Sequence, residues 1–94
     1  MTVLTLLTRA YCHLCDDMRQ ALAPIAQRFG AHVVEIDVDA DATLESRYGN
    51  LVPVLLVGDA SDGIEVCHYI LDTSAVETAL SAKIQSFSRR PSGG

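Results

Sequence analysis

Apolar residues recur along the chain with two different spacings. The run Val3-Leu4-Thr5-Leu6-Leu7, within Thr2 to Thr8, is short, apolar and partly β-branched. That combination predicts a buried strand. After Cys12 the apolar side chains fall at positions 14, 18, 21, 22, 25, 26 and 29. This is helical spacing with one buried stripe. Pro24 lies inside the pattern and predicts a kink near Gln20, and Gly30 is a helix stop. His32 to Asp37 predicts a second strand with Val33, Val34 and Ile36 as its apolar members.

The later chain alternates in the same manner. Asp39 or Asp41 caps a short helix through Tyr48, which Gly49-Asn50 ends. Leu51 to Val57 reads as a third strand with Pro53 at its head, the position a strand tolerates best. Gly58 to Gly63 is rich in turn residues and closes on Asp62-Gly63, a hairpin signal. Ile64 to Leu71 is then the returning strand. Ser74-Ala75-Val76-Glu77 has the pattern of a capping box. It opens a last helix with Val76, Ala79, Leu80, Ile84 and Phe87 on its core face. Ser88 to Gly94 is polar and expected to fray.

The order is therefore β-α-β-α-β-β-α. It predicts an α/β domain over residues 1–87, with a flexible tail at 88–94. Four strands form a mixed sheet with three helices. The first βαβ unit is parallel and the last two strands form an antiparallel hairpin. The segment after the first strand lies where open α/β sheets place their ligands.

Composition narrows the function. The 94 residues are 49% hydrophobic, which suits one packed domain rather than a disordered chain. Tryptophan is absent, so the core is aliphatic. The net charge of −5 disfavours nucleic acid and anionic membrane surfaces as partners. No apolar run reaches a spanning length of about 18 residues. Met1 to Leu7 lacks the basic start and apolar length of a signal peptide. The expected compartment is the cytoplasm, and the expected state a monomer. Three cysteines in such a chain point to a reactive pair or a metal rather than a structural disulfide set.

Tyr11-Cys12-His13-Leu14-Cys15 carries the chemistry. A C-x-x-C pair after a strand and at a helix start is a redox signature. Backbone N–H groups and the helix dipole stabilise a thiolate at Cys12. That thiolate attacks a disulfide, and Cys15 displaces the mixed product. Asp16 and Asp17 oppose the thiolate while favouring the helix. His13 supports a thiolate when protonated, and Tyr11 packs and partly lines the site. Cys67 reads as a buried, inert thiol. A zinc site built from Cys12, Cys15, His13 and His68 or His32 lacks a second C-x-x-C or a spaced histidine pair, so no metal is expected. Asp37, Asp39 and Asp41 have calcium-loop spacing. Ala42 stands where that loop needs glycine, so the segment reads as a loop and helix cap.

Cys12-His13-Leu14-Cys15 after the first strand, Val52-Pro53 before the hairpin and the order of elements together resemble the glutaredoxin-like branch of thioredoxin-fold proteins. The resemblance covers about residues 2–87. It implies that Cys12 is the nucleophile and Cys15 the resolving thiol. It implies a cis Val52–Pro53 bond facing the dithiol, and a glutathione carboxylate held by Arg9. The substrate backbone would pair beside Val52 and Pro53. His-Leu replaces the family's usual Pro-Tyr between the cysteines, and Leu71-Asp72-Thr73 replaces its Gly-Gly. The implied function is thiol–disulfide exchange on protein disulfides or glutathione mixed disulfides, with no cofactor required. Glutathione serves as substrate or reductant. Two other readings stay open: a scaffold bridging an iron–sulfur cluster through Cys12, and a non-catalytic interaction domain.

Overall fold

Alternation along the first strand divides the molecule into two cores. In the computed structural model, which describes residues 2–88 and side chains as far as 82, β1 (Val3–Thr8) sends Leu4 and Leu6 to one side of the sheet and Leu7 to the other. All three are fully buried. The chain continues through α1 (His13–Phe29), β2 (His32–Asp37), a short 3-10 turn (Val38–Ala40) and α2 (Ala42–Tyr48). It ends with β3 (Val54–Val57), β4 (Ile64–His68) and α3 (Thr73–Ser88). The sheet order is β2-β1-β3-β4, with β1 and β2 parallel and the other pairs antiparallel. This is the mixed sheet and the element order that the sequence predicts.

Helices α1 and α3 cover one face. Met18, Leu22 and Ile25 from α1, and Val76 and Leu80 from α3, pack with Leu4, Leu6 and Leu55. Helix α2 covers the other face, where Leu44 and Tyr48 meet Leu7, Val38, Val54 and Leu56. A fully buried leucine contributes about 1.5–3 kcal/mol over an exposed one, so these two clusters hold the sheet between its helices. Thr5 is buried in the sheet, and its hydroxyl donates to the Gly58 carbonyl at 2.7 Å. Gly30 caps α1 in the left-handed region at φ 66°, where glycine carries no Cβ penalty. The backbone N–H of Ala31 then donates to Ala26 O at 2.8 Å.

Several boundaries differ from the sequence expectation. α1 is continuous through Pro24. Asp41, not Asp39, caps α2, accepting from the N–H groups of Thr43 and Leu44. Val34 is exposed because β2 is an edge strand. β3 begins at Val54, one residue after Pro53, and β4 stops at His68 rather than Leu71. The stop has a local cause: Tyr69 takes φ 67°, turns the chain, and donates its N–H to Pro53 O at 2.9 Å. α3 starts at Thr73 and is capped by Asp72, whose Oδ1 accepts the Ala75 N–H at 3.0 Å. Ser74 is thus inside the first turn, and Glu77 pairs with Arg28 instead of reaching back as in a capping box. Ser88 closes α3 rather than opening the tail. The side chains of Ile84 and Phe87, and the rest of the tail, lie outside the described residues.

The strand directions bring three segments to one end of the sheet. β1 and β4 finish there and β3 begins there. The segment Arg9–Cys12, the Pro53 turn and Tyr69 therefore share that end.

Candidate functional site

Cys12 is the N-cap of α1, with extended backbone at φ −112° and ψ 107°. Its sulfur accepts the Cys15 N–H at 3.1 Å, the bond that serine or aspartate makes at a helix start. Its carbonyl accepts the Asp16 N–H. Cys12 is half-buried, whereas Cys15 is only 1% exposed and rests in the core. The two are joined in a disulfide with Cα atoms 5.2 Å apart. The helix geometry thus presents one sulfur and covers the other.

The approach to Cys12 is shaped by the residues just before it. Tyr11 is fully exposed, contrary to the expectation that it packs, because φ 59° turns its side chain out of the fold. A non-glycine residue in this region carries backbone strain, and such positions cluster at functional sites. Arg9 points back over the sheet end. Its guanidinium donates to both oxygens of Asp39 at 3.2 and 3.1 Å, to Gly49 O at 3.2 Å and to Glu45 Oε2 at 3.2 Å. Hydrogen bonding to Asp39 raises its pKa further above the usual guanidinium range. The carboxylates that Arg9 holds are the chain's own. They tie the end of β1 to the 3-10 turn and α2.

A cavity of about 710 Å³ opens beside Cys12. Arg9, Tyr11 and His13 line it, together with Asp16, Arg19 and Glu35. Asp37 stands at its β2 edge and accepts the Asp39 N–H at 2.8 Å. Glu35 belongs to the side of the sheet that faces α1. Its carboxylate accepts from Arg19 at 2.8 and 2.6 Å and from the Thr8 hydroxyl at 3.1 Å. Hydrogen bonding to Arg19 holds the Glu35 carboxyl below the usual range, with the Thr8 hydroxyl acting in the same direction. Arg19 also pairs with Asp16. The sequence reading does not single out Arg19, Glu35 or Asp37 for the site. A usable signal was present: parity along β2 puts Glu35 on the same face as Val33, against α1.

Val52 and Pro53 do not line this cavity. Val52 is half-buried against the α2-side core and Pro53 is buried, and their peptide bond is cis. Pro53 O is engaged by Tyr69 N–H, and the Tyr69 hydroxyl donates to Asn50 O at 2.9 Å. Tyr69 and Ile70 are exposed beside this turn. Cys67 is half-buried on β4, and burial raises its thiol pKa. Among the described residues no cluster of histidine, cysteine and carboxylate side chains is placed to hold a metal ion.

Comparison with known proteins gives this geometry a context. The profile of a family described as Glutaredoxin-like domain (DUF836) matches residues 3–81. A Nitrosomonas europaea protein solved by NMR superposes with a TM-score of 0.73 at 28% identity, covering 83% of this chain and 89% of that one. An X-ray structure of a protein from X. campestris is 42% identical with a TM-score of 0.61, over 84% and 96% of the two chains. Mitochondrial thioredoxin 3 from Saccharomyces cerevisiae, in its oxidized form, is 17% identical with a TM-score of 0.65, over 85% of this chain and 76% of that one. The last likeness bears on the fold alone, which is thioredoxin-like.

Proposed function

This chain belongs to the glutaredoxin-like domain family (DUF836), and from that premise we propose that it is a thiol–disulfide oxidoreductase working through Cys12 and Cys15. One observation carries the reading: Cys12 is an accessible helix N-cap whose sulfur already accepts a backbone N–H, while its partner Cys15 is buried one turn in. After reduction the same N–H and the helix dipole favour a thiolate at Cys12.

The exchange runs in two steps. The Cys12 thiolate attacks one sulfur of a substrate disulfide. That S–S bond breaks, and the other substrate sulfur leaves as a thiolate and takes a proton. Cys15 then gives up its proton and attacks Cys12 Sγ, expelling the second substrate sulfur. Two electrons have passed to the substrate, and the Cys12–Cys15 disulfide remains. A dithiol donor or two molecules of glutathione restore the reduced pair. Substrates in this reading are protein disulfides or glutathione mixed disulfides, with the substrate backbone lying beside Val52 and Pro53. No helix among the described residues is long and apolar enough to cross a membrane. A transient catalytic disulfide suits the cytoplasm, where we place the activity.

The test is a disulfide reduction assay with mass mapping. Cys12→Ser abolishes turnover. Cys15→Ser loses turnover yet accumulates a covalent adduct between Cys12 and the first substrate sulfur. A Cys15→Ser protein that never captures a disulfide substrate refutes the assignment.

A further inference from the structure

The cavity beside Cys12 is lined by charges of both signs. Two guanidinium groups, Arg9 and Arg19, line it with three carboxylates, Asp16, Glu35 and Asp37, while Asp39 and Glu45 hold Arg9 from outside the lining. Each guanidinium is shared by two of those carboxylates. With histidine counted neutral, the lining carries one net negative charge, Asp39 and Glu45 add two more behind Arg9, and both arginines already have acidic partners. An anion entering here has to displace an internal carboxylate from an arginine. The fully exposed Tyr11 on the cavity wall adds an aromatic surface suited to a cation.

Glutathione disulfide carries a net negative charge near neutral pH, having four carboxylates and two ammonium groups. A polypeptide disulfide flanked by lysine or arginine carries the opposite sign. Resting on the oxidoreductase reading above, we infer that this cavity is a specificity subsite that takes a basic side chain next to the scissile disulfide of a polypeptide substrate. Asp16 and Asp37 are its charge-selecting residues, because each lines the cavity and leaves the fold's packed core untouched. The subsite raises the rate of the first exchange for cationic polypeptides and lowers it for glutathione disulfide. The redox chemistry is the same two-step exchange.

The experiment uses the pre-reduced full chain in single-turnover reactions with three substrates. Two are disulfide-linked peptides identical except that lysine or glutamate flanks the cysteine, and the third is glutathione disulfide. The lysine peptide reacts about tenfold faster than either anionic substrate at low ionic strength, the lower end of what electrostatic steering gives. The advantage collapses in about 1 M salt, where the screening length is roughly 3 Å. Asp16→Asn combined with Asp37→Asn cuts the advantage at least threefold, since asparagine keeps the shape and the acceptor oxygen. Equal rates for the two peptides overturn the subsite and leave the oxidoreductase reading standing. A preference that survives both substitutions overturns its assignment to this cavity. If no substrate is reduced, the subsite and the reading on which it rests fall together.

Discussion

Replacing Asp72 with alanine distinguishes the cap seen in the structure from the one that the local sequence suggests. Asp72 Oδ1 accepts the Ala75 N–H at 3.0 Å, and the Asp72 carbonyl accepts the Val76 N–H at 3.0 Å. Ala75 is thus the third helical residue, where a capping oxygen belongs. Alanine removes the acceptor and a negative charge from the positive end of α3. Loss of a cap costs roughly 1 kcal/mol, and loss of the charge–dipole contact about 0.3 kcal/mol or more. Water reaches this exposed turn, so the sum stays near 1–1.5 kcal/mol rather than at the upper limit. At about 2 cal/mol/K per residue, a 94-residue chain unfolds with roughly 0.2 kcal/mol/K. The thermal midpoint should therefore fall by about 5–8 °C. Asp72→Asn keeps the acceptor and should cost less than half as much. Ser74→Ala should move the midpoint by about 1 °C or less, as an uninvolved surface change does. The assay is thermal unfolding of the oxidised protein followed by circular dichroism, at one pH and one salt concentration. A Ser74→Ala loss equal to that of Asp72→Ala refutes the reasoning, because the cap would then be Ser74.

Three more outcomes are open to direct measurement. In the reduced protein, iodoacetamide should modify Cys12 well before Cys15, which is 1% exposed; mass mapping that finds the reverse order overturns the roles given to the two thiols. Arg9→Gln should lower the thermal midpoint at low salt, and the loss should shrink in high salt, because its partners are the carboxylates of Asp39 and Glu45; an unchanged midpoint means that this bracket adds nothing to stability. Glu35 is held below its ordinary pKa of 4.5, so its pair with Arg19 stabilises the fold above that pH and stops doing so as pH falls through the depressed value. The stability difference between wild type and Glu35→Gln should accordingly be full at pH 7 and vanish in strong acid, and a difference constant across that range would rule out the charged pair as its source.

The fold was legible because its two periodicities are clean. Leu4, Leu6 and Leu7 alternate across β1, and the α1 stripe of Met18, Leu22 and Ile25 repeats at helical spacing. The Cys12–Cys15 pair was legible because helix starts and C-x-x-C spacing are local features. Part of what the sequence hid depends on long-range partners, and part on local backbone turns and competing caps. Arg9 looks like a substrate-binding charge until Asp39 and Glu45 are brought to it across 30 and 36 residues. Tyr11 looks like a packing residue until the backbone turns at φ 59°. Ser74 fits a capping box, yet Asp72 comes two residues earlier and satisfies the same turn first. Glu35 reads as an ordinary polar member of a strand; parity with Val33 gives its face, and the parallel register with β1 places it opposite Leu6, on the α1 side.

Every residue lining the cavity beside Cys12 falls between Thr8 and Asp37. The hairpin and α3 supply no wall of it. On the subsite proposal, the charge preference is therefore written in one contiguous stretch of about a third of the chain, apart from the Val52–Pro53 turn proposed to hold the substrate backbone. Such a stretch can drift in charge without disturbing the Val76 and Leu80 contacts that hold α3 down. It is also a transplantable cassette: exchanged between two scaffolds of this architecture, the strand–loop–helix–strand segment should carry its partner preference along and leave the recipient's own hairpin in place.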